Sequence, residues 1–364
     1  MNCCIECFCD SEIRRIIDSV NEVGDCDFCE STGIKIYPIG KIGTVEALIN
    51  SVIDEYEISE SSKTDLQHAL LTDWSIFSDT YYSNDFFGCT HLGNKYCVLI
   101  DLVSKLCAAT RSVDDDVYSK DVIIANADDT DLLLDYGIVS GWEWEEFSDE
   151  IKLRNRFHNN LFNPEIMASF LSYAVKTYDK ETTFHRARRA IDKSGLTIDK
   201  MGAPPSSKST AGRINSEGIS VLYLASDSET ALNEIRASTF DFVTVGAFKA
   251  NKGFRIVSLL ELASISPFIY GDLWQYAINH QCLRDFSNAV SKPLRRNDSP
   301  LDYLPTQFIA DFIKSERYDG VEYKSTMNPG GTNIAIFDES LFECTGVKTV
   351  EISHIQYKTE PSIE

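Results

Sequence analysis

At 364 residues and 43% hydrophobic content the chain can bury a substantial core, and its length points to two domains rather than one. Its 34 basic side chains against 56 acidic, a net charge of −22, exclude a general affinity for DNA or RNA through phosphate contacts, although a basic pocket for one small anion stays compatible with them. The start MNCCIECFCDSEIRR has no apolar signal region, and no segment nears the roughly 18 apolar residues of a membrane span, so a soluble, cytoplasmic protein without membrane contact is expected.

Six of the eleven cysteines lie in the first 29 residues. An odd count, a long chain and no secretion signal argue against a disulfide scaffold and for reduced thiols or a metal. Cys4-x2-Cys7 and Cys26-x2-Cys29, eighteen residues apart, have the spacing of a four-thiolate zinc site. The EIRRII run between them has helical spacing, so the two knuckles can close on one tetrahedral ion. Four thiolates leave no open position for water, which makes the expected Zn²⁺ structural. Cys3 and Cys9 are near enough to compete as ligands. Residues 1–40 are therefore read as a zinc knuckle.

Residues 41–180 read as a mainly helical domain. TVEALINSVIDEYE (44–57), CVLIDLVSKLCAA (97–109) and PEIMASFLSYAVKTY (164–178) carry helix-like apolar spacing between acidic stretches. Arg154 and His158 resemble the Arg-His pair of HEPN-type ribonucleases, but their gap is shorter, and a solvated charged helix or turn is the expectation. YDKETT (178–183) reads as the linker.

Strands and loops follow. In TTFHRARRAI an extended chain puts Arg186 and Arg188 on one face, where two guanidiniums could clamp a pyrophosphate or simply be solvated. After a Pro- and Ser-rich loop ending at Gly212-Arg213, ISVLYLAS (219–226) reads as a strand carrying Tyr223. SDSE then reads as a capping box, Ser226 to Glu229. On the helix it starts, Ala231, Leu232 and Ile235 share the buried arc, and Glu234 lies at its border. Residues 303–340 read as a helix, the strand GVEY, the loop KSTMNPGG and the buried strand NIAIF, with Ser325 at a strand exit.

FHRAR, AGRIN-EG--VLYLAS-SETALNE, YLPTQFIADFI and YDGVEYKST---GGTNIAIFD, four motifs in order, resemble the RES domain over roughly residues 183–340. The N-terminal CIECF and GDCDFCES are similar to the domain that accompanies some RES proteins. The resemblance implies an α+β fold in which residues 181–350 form an ADP-ribosyltransferase-like split, mostly antiparallel sheet, followed by a tail over 351–364. It also implies an NAD-consuming enzyme of the toxin type, restrained either by an antitoxin or immunity protein or by the acidic N-terminal half acting as an internal restraint or sensor. By the family pattern Arg186 or Arg188 and Arg213 bind the substrate, while Tyr223, Glu234 and Ser325 do the chemistry.

The residue types agree with that implication. NAD carries a dianionic pyrophosphate, two riboses and a cationic nicotinamide, which call for guanidinium forks, a carboxylate and an aromatic platform. Breaking the nicotinamide–ribose bond develops oxocarbenium charge that Glu234 can oppose, with Tyr223 flanking nicotinamide and Ser325 fixing its amide or the ribose. Water, inorganic phosphate or a macromolecule could accept the ADP-ribosyl group. A zinc-bearing interaction module with a degenerate RES half is the reading from outside enzymology.

Overall fold

The computed structural model describes residues 1–60, 62, 64–78, 98–140, 143–158, 160–292 and 299–355. Cys97, Trp142, Asn159 and the tail beyond 355, on which parts of the sequence reading fall, lie outside them. The chain divides into two compact units. One takes Met1–Glu143, Asn160–Ile166 and Ser264–Leu283, and the other takes the described parts of Trp144–Asn159, Met167–Ala263 and Arg284 onward. Among the described residues no helix is long and apolar enough to cross a membrane.

In the first unit β1 (Asn2–Cys4), β2 (Glu22–Gly24) and β3 (Ile34–Pro38) form an antiparallel sheet in the order β1-β3-β2. The helical spacing between the knuckles becomes α1 (Ser11–Val20), which buries Ile13 and Ile17. Asp10 starts it by accepting from the backbone N–H groups of Glu12 at 3.0 Å and Ile13 at 2.9 Å, a cap worth about 1 kcal/mol. The next expected helix ends early. α2 covers Thr44–Ile53, after which Tyr56–Ile58 leaves as β4 to pair antiparallel with β5 (Val122–Ile124). The competing force is aromatic burial: Tyr56 packs beside Trp74, and its hydroxyl accepts the indole N–H at 2.6 Å. α3 (Leu66–Thr72), α4 (Val98–Leu106) and α5 (Thr130–Tyr136) follow. This unit is thus helical with two small sheets.

The second unit contains α6 (Trp144–Asp149) and the five-residue π-turn after it. Arg154 in that turn is exposed and pairs with Glu150 at 3.7 Å, and His158 is exposed, as a solvated turn requires. α7 (Pro164–Tyr173) stops within PEIMASFLSYAVKTY, and Val175–Tyr178 continues as a strand, β6. The stretch expected as a linker therefore connects two strands of one sheet, β6 and β7 (Thr183–Ala190). β8 (Leu222–Ala225), β9 (Phe242–Ala250), β10 (Phe254–Ser258), β11 (Gly320–Lys324), β12 (Thr332–Ile336) and β13 (Phe342–Glu351) complete it.

The strand order is β13-β9-β7-β8-β12-β11-β10-β6. Every neighbouring pair is antiparallel except β10 with β11. The expected mostly antiparallel sheet is present. Its narrowest joint is between β7 and β8, which meet in the single pair His185 with Ala225.

Alternation assigns the two faces. Phe184, Leu222, Leu224, Phe254, Ile334 and Ile336 fill the core on one side. On the other, Ala187, Ala225 and Val243 lie under Ala231 of α8 (Ser228–Glu234), with Leu232 and Ile235 partly buried beside them. Tyr223 and Asn333 share this second face because each sits one residue out of step with the core positions. α9 (Leu259–Leu262), α10 (Pro267–Tyr270), α11 (Leu273–Ser291) and α12 (Leu304–Ser315) are the remaining α-helices among the described residues. α10 and the first part of α11 belong to the first unit, where Trp274 donates to the Ala125 carbonyl at 2.6 Å and Tyr276 stacks on Trp74.

Candidate active site

Glu234 is the last residue of α8, and two side chains from other elements hold it. The Ser325 hydroxyl donates to its Oε1 at 2.6 Å, and Asn333 Nδ2 donates to the same oxygen at 2.8 Å. Oε2 makes no hydrogen bond among the described residues, and no cation among them pairs with the carboxylate. The expected capping box is shifted by one residue. Asp227, not Ser226, caps α8, accepting from Thr230 N at 2.8 Å and Thr230 Oγ1 at 2.7 Å. Ser226 accepts instead from Thr332 N at 3.2 Å, which ties the helix start to β12.

Ser325 leaves β11 into a tight loop. Its backbone N–H donates to Gly331 at 3.0 Å, and its hydroxyl oxygen accepts from Met327 N at 3.3 Å and Asn328 N at 3.2 Å. The hydroxyl is buried, and its one proton is committed to Glu234. Ser325, expected to fix a substrate amide or ribose, bonds the carboxylate in this structure. Gly331 has no room for more: a Cβ there would meet Thr230 Oγ1 at 2.3 Å. Asn328 Nδ2 donates to that same hydroxyl at 2.8 Å, so loop and helix are fastened twice.

Tyr223 lines the same cavities as Glu234. Its hydroxyl donates to Asn215 Oδ1 at 2.6 Å, and Asn215 Nδ2 donates in turn to the carbonyls of Thr210, Ser216 and Ile219. Gln307 of α12 donates to the Gly212 carbonyl at 2.7 Å and the Asn215 carbonyl at 3.0 Å, so the YLPTQF motif clamps the GRIN turn. A Cβ on Gly212 would lie 2.9 Å from Asn215 Oδ1 and 3.2 Å from the Tyr223 hydroxyl, which is why glycine stands there. Burial pushes the Tyr223 and Tyr323 phenols up, and both are neutral at physiological pH.

The arginines separate. Arg186 lines a pocket of about 230 Å³ together with Tyr223, Glu234, Tyr323 and Asn333. Its Nη1 is buried and has no hydrogen-bond partner among the described residues. Burial, and then the charge of Arg188, bring it down to about 10, so it stays charged at neutral pH. Arg188 is exposed and donates to the Lys200 carbonyl. Arg213 donates to the Ala289 carbonyl at 2.9 Å and lies over the Tyr303 ring at 5.2 Å, on the wall of a larger cavity of about 460 Å³. Among the described residues that wall carries Arg213, Arg236, Lys292 and Lys324 against the single carboxylate of Glu234. In a chain of net charge −22 this is a local reversal of sign, suited to a small anion.

Sequence reasoning had no hold on Asn333, Tyr323, Asn215, Lys292 and Lys324. Tyr323 and Asn333 are direct cross-strand partners, and two-residue alternation from Tyr223 and Ser325 could have found them. Lys292 follows α11, and nothing local marks it.

In the first unit Cys4, Cys7, Cys26 and Cys29 come together, with one sulfur of each within 4.8 Å of the others. Cys4 and Cys7 are 3.8 Å apart, Cys4 and Cys29 3.4 Å, and Cys7 and Cys26 3.6 Å. A tetrahedron with metal–sulfur bonds of about 2.3 Å has sulfur–sulfur edges of about 3.8 Å, so the four thiols could hold a metal ion. Phe28 N–H donates to Cys26 Sγ at 3.4 Å, and hydrogen bonds from Cys4 and then Cys7 hold the Cys26 thiol well below the usual cysteine range. Cys3 is buried toward the Tyr37 carbonyl and Cys9 is exposed, so neither joins the group.

Residues 183–359 match the family model of the RES domain. A solved structure similar to part of the chain is the crystal structure of the M. tuberculosis MbcT–MbcA toxin–antitoxin complex, at 12% identity over 51% of this chain and 93% of that chain, with a TM-score of 0.31. No curated protein matches the chain.

Proposed function

We propose, from the premise that this chain carries a RES domain over residues 183–359, that it consumes NAD by cleaving the nicotinamide–ribose bond in the cavity around Glu234. The observation that carries this reading is convergence. Arg186 and the GRIN turn come from separated stretches and line two cavities that share Tyr223, Glu234, Tyr323 and Asn333, with Ser325 bonded to Glu234 from a fourth stretch; among the described residues the larger cavity carries four cations against one carboxylate. The single-pair joint between β7 and β8 supports an ADP-ribosyltransferase-like split of the sheet.

The chemistry follows from the contacts. As the carbon–nitrogen bond breaks, its electron pair leaves with nicotinamide and positive charge develops on the ribose. Glu234 opposes that charge through Oε2, while Ser325 and Asn333 keep Oε1 from turning away. Tyr223 and Tyr323 give neutral aromatic walls to the ring that departs. Arg186 and Arg213 hold phosphate. Water or inorganic phosphate then takes the ribosyl carbon. A toxin or defence effector is the role that suits such a reaction, with an antitoxin or immunity protein as the partner that covers the cavity.

The arginine assignment is testable by difference. Arg186→Ala should weaken NAD binding about tenfold or more, as loss of a charge-assisted phosphate contact does, whereas Arg188→Ala should change it little. Equal dissociation constants for the two variants, measured calorimetrically, would remove Arg186 from the site.

The reaction class is tested by incubating the purified protein with NAD labelled in its adenylate half and following the label. Hydrolysis gives free ADP-ribose, and phosphorolysis gives ADP-ribose 1″-phosphate. Label on protein would mean transfer to a macromolecule, and label remaining in intact NAD would leave an interaction module.

A further inference from the structure

A cavity of about 720 Å³ opens on the other side of Ser325. It shares Ser291, Lys292, Lys324 and Thr326 with the cavity around Glu234, so the two adjoin along that border. Trp144 and Glu145 line only the new one. They belong to α6, outside the residues that match the RES family model. α6 is built into the same compact unit: Phe147 packs edge-on against Phe308 at 5.5 Å, and Trp144 lies 5.4 Å from Phe147 and 5.9 Å from Phe286. The indole is held from behind by two rings and is only half-buried, so it has surface left to offer the cavity.

Along this path the chemistry changes in a fixed order. The Glu234 cavity offers a carboxylate, two tyrosines and the guanidiniums of Arg213 and Arg236, the shared border two exposed lysines, and the new cavity an indole with the carboxylates of Glu145 and Asp285. A dinucleotide presents the complementary groups in the same order: a ribosyl cation in formation, a pyrophosphate, then a purine riboside. Bases stack on aromatic side chains whatever their sequence, lysines take phosphate as point charges, and carboxylates accept from ribose hydroxyls.

We infer that this cavity is the adenylate subsite, with Trp144 stacking on the purine and Lys292 and Lys324 joining the arginines of the Glu234 cavity on the phosphates, so that a segment outside the RES domain sets affinity for the half of the substrate that does not react. The inference rests on the NAD reading for its substrate, yet it is tested by binding alone.

The test is calorimetric titration of the full chain with AMP. Wild-type protein should bind it, Trp144→Ala should bind it about tenfold or more weakly, as loss of a base–aromatic stack does, and Trp144→Phe should recover most of the difference. Lys324→Ala, an exposed change that cannot disturb the ring packing, should also weaken AMP and flatten the salt dependence. No AMP binding by wild-type protein at millimolar concentration, or equal binding by folded Trp144→Ala, overturns the inference; if Trp144→Ala does not fold, unchanged binding by Lys324→Ala does so. AMP binding without any nicotinamide release from NAD would instead uphold the subsite and refute the cleavage reaction.

Discussion

Glu234→Gln should lower nicotinamide release from NAD by roughly 10²-fold or more while the dissociation constant for NAD stays close to that of the wild-type protein. The amide keeps the shape of the carboxylate and can still accept from Ser325 and Asn333 through its oxygen, so the scaffold around it is preserved. What disappears is the negative charge facing the ribosyl carbon, and that charge matters chiefly in the transition state. A stabilising contact made equally in the bound substrate would instead show as weaker binding at unchanged turnover. Steady-state rates with a separate binding measurement distinguish the two. Near-normal turnover would return Glu234 to the part of a surface carboxylate, although no cation among the described residues pairs with it.

The second large effect belongs to the cysteine group. Protein purified without chelator should carry about one Zn²⁺ per chain by elemental analysis, because four sulfurs already stand near the edges of a tetrahedron. The strands they bind together are three to five residues long, too short to be stable alone. Structural zinc contributes on the order of 10 kcal/mol to the folding of such small elements. Cys26→Ser removes the sulfur that accepts from the other knuckle, and should both empty the site and abolish hydrogen-exchange protection in β1, β2 and β3. Retained protection in zinc-free protein would show that Ile13, Ile17 and the sheet suffice without metal.

What was legible in the sequence followed from local physics. CxxC spacing foretold the four-sulfur group, and ISVLYLAS, read as a strand, contains β8, where Tyr223 lies on the face opposite Leu222 and Leu224. The buried arc of α8 carried Glu234 to its border as expected. Three features were not legible. Tyr56–Ile58 and Val175–Tyr178 left helical patterns for strands because their pairing partners, β5 and β10, lie far along the chain. Arg186 and Arg188 could not be told apart by alternation, since they share a strand face; the turn that brings the Lys200 carbonyl to Arg188 decided between them. Ser325 and Asn333 act on Glu234 from 91 and 99 residues away, and no local pattern reports that distance closing.

The most direct measurement is the quantity of nicotinamide released when the full-length protein is incubated with excess NAD, read by chromatography against enzyme concentration. The account predicts many moles of nicotinamide per mole of wild-type protein, accumulating with time, and at least a hundredfold less from an equally folded Glu234→Gln variant. Intact NAD after prolonged incubation with folded, metal-loaded wild-type protein, or equal release by the two proteins, would contradict it.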